Sequence, residues 1–371
     1  MPDLRVRVSS GQYPIAVVSK KPDRLRTLLA KACTSDRLFV FYDAQFYALH
    51  AASLRKSLTA PGRRLIELVL PSGEKTKSSA TLEKVYSFLL AEKISRDDFV
   101  LAVGGGVTSD LIGYAAATTL RGIRWGVVPT TLLGMVDAAI GGKTGINHRQ
   151  GKNLIGAFWH PRFVYVDTWW TNTLAARQMM AGMGEVVKYA GLTGQPMLKL
   201  TEGWVQSSSR LSQPVLTKLV KYSVACKADI VTRDERERNV RMFLNLGHTV
   251  GHAIEKAAGY GRLLHGEAVI LGLWAAIELS CSLKQSRRRY LDGYRRNIEC
   301  LVRRLPKVKL QSKKIAEAMS LDKKRRGDDI RFVLLDRPGK PFIADNVPGR
   351  TIRAVIERSL TMYDRLGGRD A

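Results

Sequence analysis

The sequence predicts an α/β N-terminal domain with a parallel, Rossmann-like sheet over residues 1–177 and an all-α C-terminal domain over residues 178–371. Three observations lead there. A chain of 371 residues is longer than one hydrophobic core normally serves, so two domains are expected. Up to about residue 175, short runs rich in Val, Ile and aromatic side chains alternate with helical patterns, which implies βαβ units. Beyond residue 178 the apolar period changes to 3.6.

In order, YPIAVVS, RLFVFYD, RRLIELVLP, DFVLAVGGG, WGVVPTT and FVYVD read as strands. Segments such as PVLTKLVKYSVACKADIV, HTVGHAIEKAAG and GEAVILGLWAAIELSCSLK then read as helices. One late extended run, DIRFVLLDRPGKPFI, has the form of a small hairpin turning near Pro338-Gly339. No repeat or low-complexity linker separates the halves, so they are expected to share a tight cleft.

Composition narrows the class. Hydrophobic residues make up 45% of the chain, yet no stretch of about 18 apolar residues is free of charge, and the N-terminus lacks a signal-peptide pattern. A soluble, cytoplasmic protein without a membrane partner is expected. Cys33, Cys226, Cys281 and Cys300 are scattered without a CxxC pair, which argues against a disulfide framework or a zinc ribbon. The formal charge is +27, and residues 284–326 hold 16 basic residues against 4 acidic ones. These fall in doublets and triplets without zinc-finger, RNA-recognition or aromatic patterning, so they read as solvated helix faces rather than as a specific nucleic-acid site.

Four clusters carry chemistry. In VLAVGGGVTSDLIGYAAA, Gly104 to Gly106 follow a strand and precede a helix, where a backbone can approach a phosphate and the helix N–H groups can stabilise it. A bare tight turn uses the same glycines. Asp110 lies in the first turns of that helix, suited to a ribose or nicotinamide group, or simply to the helix N-terminus. Glu74 and Lys77 follow another strand, and Thr130 and Thr131 end a third, so three strand-end loops point to a dinucleotide.

The second cluster, MVDAAIGGKTGINHRQGKNLIGAF, offers Asp137, Lys143, Lys152 and Asn153 in what reads as a Gly-rich loop for phosphate and hydroxyl groups. The third contains Glu185, His248, His252 and His265, candidates for a metal. His248 and His252 are four apart on one helix face, while Glu185 and His265 sit among small residues at expected helix starts. Spacing leaves open whether His252 is a ligand or a proton carrier. The fourth is an anion set, Lys227, Arg241 and Asn245, the last two expected on one helix face beside His248.

With these residues in view, the chain resembles the 3-dehydroquinate synthase family from about residue 10 to about 360. The ordered runs AVGGGVTSDLIGYAA, VPTTLLGMVDAAIGGKTGINHRQGKNLIGAF, LNLGHTVGHAIE and HGEAV carry the likeness. The resemblance implies NAD, one divalent ion, zinc or cobalt, and a homodimer. It implies Glu185, His248 and His265 as ligands, with His252 and Glu237 in proton transfer. Substrate contacts are implied for Asp137, Lys143, Asn153, Lys188, Lys227, Arg241, Asn245 and Lys323 or Lys324, and a phosphate contact across the dimer for Arg121. Asp43, Glu74, Lys77, Gly105, Gly106, Val107, Asp110, Thr130, Thr131, Lys152 and Trp170, Thr171, Asn172 and Thr173 are implied around NAD.

Departures are few: Ala138 and Ala139 stand where the family often has serines, and Asn239 where it has glycine nearby. The implied reaction turns 3-deoxy-arabino-heptulosonate 7-phosphate, a sugar phosphate acid, into 3-dehydroquinate and phosphate. A related metal-dependent alcohol dehydrogenase would show net NADH production. A sister cyclase acting on a sugar phosphate without a carboxylate has no use for Lys227, Arg241 and Asn245. An amino analogue of the acid stays open.

Overall fold

The computed structural model describes residues 3–206, 211–259, 261–283, 288–326 and 330–368. By contacts the chain divides into two compact units, one of residues 1–175 with 227–235, the other of residues 176–226 with 236–371.

The first unit runs β1 (Leu4–Val8), β2 (Gly11–Val18), α1 (Pro22–Ala32), β3 (Arg37–Asp43), α2 (Ala44–Leu58), β4 (Arg64–Leu70), α3 (Ser79–Ala91), β5 (Phe99–Gly104), α4 (Gly106–Thr118), β6 (Arg124–Pro129), β7 (Lys143–His148), β8 (Gly151–Phe158) and β9 (Val164–Asp167). Its main sheet has seven strands in the order β1-β2-β9-β6-β5-β3-β4. All neighbours pair in parallel except the edge strand β1, which is antiparallel to β2. Parallel strands are covered on both faces and so read as continuous apolar runs, as RLFVFYD does. Leu38, Val40 and Tyr42 of β3 pack with Leu25, Leu29, Phe46 and Leu54 of α1 and α2. Phe41, pointing the other way, meets Phe88 of α3 edge-on.

From β3 the chain moves outward to β4, then returns to the other side of β3 to form β5. The strand order therefore reverses between the ends of β3 and β5, the position where open α/β sheets bind ligands.

The stretch expected as a Gly-rich loop is instead an antiparallel hairpin, with Gly145 opposite Gly156. A Cβ on Gly145 would come 2.4 Å from the Ile155 carbonyl oxygen, and one on Gly156 2.1 Å from that of Thr144. The glycines thus serve close strand approach rather than looseness.

The second unit contains α5 (Ala176–Thr193), α6 (Met197–Gln206), most of α7 (Gln213–Arg233), α8 (His248–Ala258), α9 (His265–Ser282), α10 (Asp292–Val302), α11 (Ser312–Arg326), β10 (Phe332–Arg337), β11 (Lys340–Ala344) and α12 (Gly349–Leu366). It is helical but not all-α, because β10 and β11 pair antiparallel around Pro338-Gly339. Leu334 and Leu335 of the hairpin are buried, and the Leu335 N–H is satisfied by Ser280 Oγ of α9 at 3.1 Å, so the hairpin is part of the core.

Some of the basic segment is neutralised internally. The buried Glu278 carboxylate of α9 receives Arg288 at 3.3 Å and Arg358 at 3.7 Å, and Arg295 also pairs with Glu299 at 3.2 Å. Among the described residues, no helix is long and apolar enough to cross a membrane.

Candidate active site

In the first unit, β5 ends at Gly104, and α4 starts with no side chain capping its N-terminus. Its first N–H groups, those of Gly106 and Val107 among them, remain available to an anion beside the strand-order reversal. At Gly105 a Cβ would approach Thr131 Cγ2 to 3.0 Å, so the bare backbone keeps this cradle open. Thr130 is tied to β5 through its N–H to the Gly104 carbonyl, 2.9 Å. These features fit the pyrophosphate of a dinucleotide.

Around the cradle, Lys77 is buried and donates to both Asp110 Oδ2 and Asn153 Oδ1. Asn153 holds φ at +57°, in the left-handed region that asparagine tolerates best among residues with a Cβ, and its N–H donates to Asn147 Oδ1 at 3.0 Å. Asn147 in turn donates to Glu74 Oε1 at 2.7 Å, and Lys152 Nζ is 3.8 Å from the same oxygen. The hairpin, the loop after β4 and helix α4 are joined by this network. Asn147 is not among the candidates that the sequence singles out. It stands two residues before the turn, where the β7–β8 ladder shifts register between Ile146 and His148.

Asp43, at the end of β3, caps α2 through Gln45 and Phe46 N–H and accepts from Ser72 Oγ at 2.8 Å. Trp170 packs against Phe46 and Tyr165, Thr171 Oγ1 donates to the Thr168 carbonyl, and Thr173 Oγ1 meets His50 Nε2 at 2.7 Å. Asn172 is exposed. Asp137 lies on a π-turn, Gly134–Ala138, a local widening often found at functional sites. Lys227 Nζ donates to the Asp137 carboxylate at 2.7 Å, while Lys143 is exposed at the start of β7. Arg121 is exposed at φ +64°, just after α4.

The second unit holds the metal candidates. Glu185 is not at a helix start: it is central in α5 and fully buried. His265 is the first residue of α9 and His248 the first of α8. Close helix crossing brings them together, since a Cβ on Gly184 would lie 2.3 Å from the Gly266 carbonyl oxygen and one on Gly266 1.8 Å from that of Ala181. Any side chain there would force α5 and α9 apart.

His248 Nδ1 lies 3.1 Å from the Leu246 carbonyl oxygen and His265 Nδ1 3.3 Å from Glu255 Oε2. Each far nitrogen then faces the same Glu185 oxygen, His248 Nε2 at 3.5 Å and His265 Nε2 at 3.4 Å. His248, its Nδ1–H held by the Leu246 carbonyl, turns a lone pair toward a buried carboxylate oxygen, which is unfavourable without a cation, so two imidazoles and one carboxylate converging in this way fit a divalent ion. His252 is near enough to join the cluster, its ring 5.3 Å from His248 and 5.4 Å from His265 between centroids, but it is exposed where His248 is buried.

Burial lowers His248 to about 3, which keeps its ring neutral. Burial also disfavours charge on His265, but the flanking Glu185 and Glu255 carboxylates overcome it and raise the ring to about 10. Glu255, not among the candidates that the sequence singles out, lies three residues after His252 in α8 and is buried with Val250, Ala253 and Ile254.

Lys188 is buried in α5 and ion-paired with Glu185 Oε2. Arg241 is 2% exposed, an extreme burial for a guanidinium. The expectation that Arg241 and Asn245 share a helix face fails, because Val240–Asn245 is a 3-10 turn and Gly247, at φ +77°, interrupts the chain before α8. Three residues per turn place positions four apart about a third of a turn out of line. Asn245 Nδ2 instead donates to Glu237 Oε1 at 2.9 Å, and Glu237 holds φ at +58°. Lys323 and Lys324 lie outside the residues whose side chains are described.

The family model "3-dehydroquinate synthase N-terminal" matches residues 67–181 and "3-dehydroquinate synthase C-terminal" residues 182–325. A 3-dehydroquinate synthase of Pseudomonas syringae pv. tomato is 38% identical over 99% of this chain and 100% of its own. The solved 2-epi-5-epi-valiolone synthase of Streptomyces hygroscopicus, with NAD+ and Zn2+ bound, aligns with a TM-score of 0.83 at 26% identity, covering 95% of this chain and 97% of its own. A 2-deoxy-scyllo-inosose synthase, complexed with carbaglucose-6-phosphate, NAD+ and Co2+, shares the fold with a TM-score of 0.86 at 24% identity, covering 95% and 99%.

Proposed function

This chain belongs to the 3-dehydroquinate synthase family, and on that premise we propose that it converts 3-deoxy-D-arabino-heptulosonate 7-phosphate into 3-dehydroquinate and phosphate in the cytoplasm, a step of the shikimate pathway toward aromatic amino acids. The carrying observation is the convergence of His248 Nε2 and His265 Nε2 on one oxygen of the buried Glu185. When bound, NAD takes and returns a hydride and a zinc or cobalt ion held by Glu185, His248 and His265 polarises the reacting oxygens.

The chain's own residues do the rest. Oxidising the secondary alcohol acidifies the adjacent C–H, so phosphate leaves from beside a ketone; reduction, ring opening and an intramolecular aldol closure follow. Lys143 and Asn153 bind the phosphate-bearing end, and Lys227, oriented by Asp137, joins the set that holds the carboxylate. Arg241, Asn245 and Lys188 hold the carboxylate end, and the buried guanidinium favours an acid over a neutral sugar phosphate. His252, exposed beside the buried cluster, is placed to pass the alcohol proton to water, with Glu237 supporting proton movement through Asn245. Lys77, Asp110, Glu74, Lys152 and the α4 N-terminus receive the dinucleotide. We place the chain in a homodimer in which Arg121 of each copy reaches the phosphate of the other. The charged surface needs no specific nucleic-acid partner in this reading.

Incubating the protein with the heptulosonate phosphate, NAD and zinc should release phosphate with no accumulation of NADH. Net NADH formation without phosphate release would replace this reading with a dehydrogenase.

A further inference from the structure

His265 poses a mechanical problem. It starts α9, its side chain is 28% exposed, and a ring in that position is free to turn unless something holds it. His248 is held by the main chain through Leu246 O. His265 has no such main-chain acceptor among its hydrogen bonds in the described residues; its Nδ1 meets the Glu255 carboxylate at 3.3 Å. Glu255 is 5% exposed, on α8, two turns beyond His248. Burying a carboxylate is costly, and a side chain that only filled space there would more economically be apolar.

We propose that Glu255 is a positioning residue for the metal centre: its carboxylate accepts from His265 Nδ1–H, fixes the tautomer and plane of the ring, and so presents Nε2 to the ion. The inference rests on Glu185, His248 and His265 being the ligands. In this role Glu255 acts through His265 rather than as a ligand itself. One helix, α8, therefore supplies a ligand at its first residue and the support of a second ligand seven residues later. A carboxylate acceptor behind an imidazole also makes the ring a stronger donor, and partners of this kind usually change metal affinity 10–100-fold.

The test uses the full-length apo protein with zinc or cobalt and needs no turnover. Zinc affinity is measured by competition with a chromophoric chelator, and the Co2+ absorption bands report ligand geometry. Glu255→Ala should bind zinc about 10–100-fold more weakly and shift the cobalt bands. Glu255→Asp, which withdraws the acceptor by one methylene, should do so to a lesser degree, and Glu255→Gln, which keeps an acceptor at the same reach, should recover most of the loss. Should the Ala variant not fold, the Asp and Gln pair carries the comparison, with the apo melting temperature of each as control. Wild-type affinity and spectrum in Glu255→Asp, or a Gln variant as weak as the Asp variant, would overturn the proposal. His265→Ala separates the two readings: wild-type zinc affinity in that variant removes His265 as a ligand, whereas lost affinity there with no effect at Glu255 removes only the positioning role.

Discussion

Lys227 donates to two oxygens of Asp137, the main-chain carbonyl at 2.6 Å and the carboxylate at 2.7 Å. The two residues are 90 positions apart, one on the π-turn after β6 and the other in α7, and the contact helps hold residues 227–235 within the N-terminal unit. Lys227→Met keeps the aliphatic stem and removes the donor, so it should cost about 1–2 kcal/mol in urea unfolding as well as lowering turnover. Adding Asp137→Asn should return part of that stability, because it removes the carboxylate left without its cation. Strictly additive losses would mean that the pair is not coupled.

Metal affinity should rise with pH. His265 is raised to about 10 between two carboxylates, so below that pH an incoming ion must displace a proton from the ring. Chelator competition should show about a tenfold gain in apparent affinity per pH unit between pH 7 and 9. The linkage sign for the apo protein is opposite at the two rings. Charged His265 stabilises the fold below its unfolded value of about 6.5, and this is lost as pH climbs through 10. His248, lowered to about 3, costs stability as pH falls from about 6.5 toward 3. A pH-independent metal affinity would contradict this arrangement.

Ligand and proton carrier should separate by mutation. His248→Ala should lose both bound metal and activity, while His252→Ala should keep metal, measured by elemental analysis, and lose roughly 100- to 10,000-fold in kcat. Metal lost from the second variant would make His252 a ligand.

Substrate choice should depend on the carboxylate. Arg241→Ala should slow turnover of the heptulosonate phosphate by about 2–4 kcal/mol in transition-state terms, because a buried charge-assisted contact disappears. Sedoheptulose 7-phosphate keeps the chain length and phosphate but has no carboxylate, so it should be a poor substrate for the wild type. Equal kcat/KM for the two would point to a sister cyclase.

The dimer can be tested by complementation. If Arg121 acts in the partner's site, mixing inactive Arg121→Ala with inactive His252→Ala subunits should restore activity, since a mixed dimer contains one intact site. Mixtures that remain inactive despite confirmed subunit exchange would confine Arg121 to its own chain.

Much of this protein is already determined by local pattern. Parallel strands buried on both faces appear as nearly unbroken apolar runs, so β3, β5, β6 and β9 of the main sheet can be read directly. Four-residue spacing on a helix places His248 and His252 on one face whatever surrounds them. Gly104 to Gly106 after a strand signals a backbone cradle because few other residues permit one.

What the tertiary structure decided depends on partners distant in sequence. Glycines read as loop punctuation become a hairpin because Gly145 and Gly156 lie opposite each other, a pairing that composition cannot reveal. Glu185, expected at a helix start, lies mid-helix, at the point where Gly184 and Gly266 let α5 and α9 cross closely. Arg241 and Asn245 lose their shared face because Val240–Asn245 winds as a 3-10 turn before the left-handed break at Gly247. Lys227 finds Asp137, and His265 finds Glu255, through packing rather than local propensity. Periodicity reports which face of an element is buried; only packing decides which side chain meets it there, because that contact is a property of two elements at once.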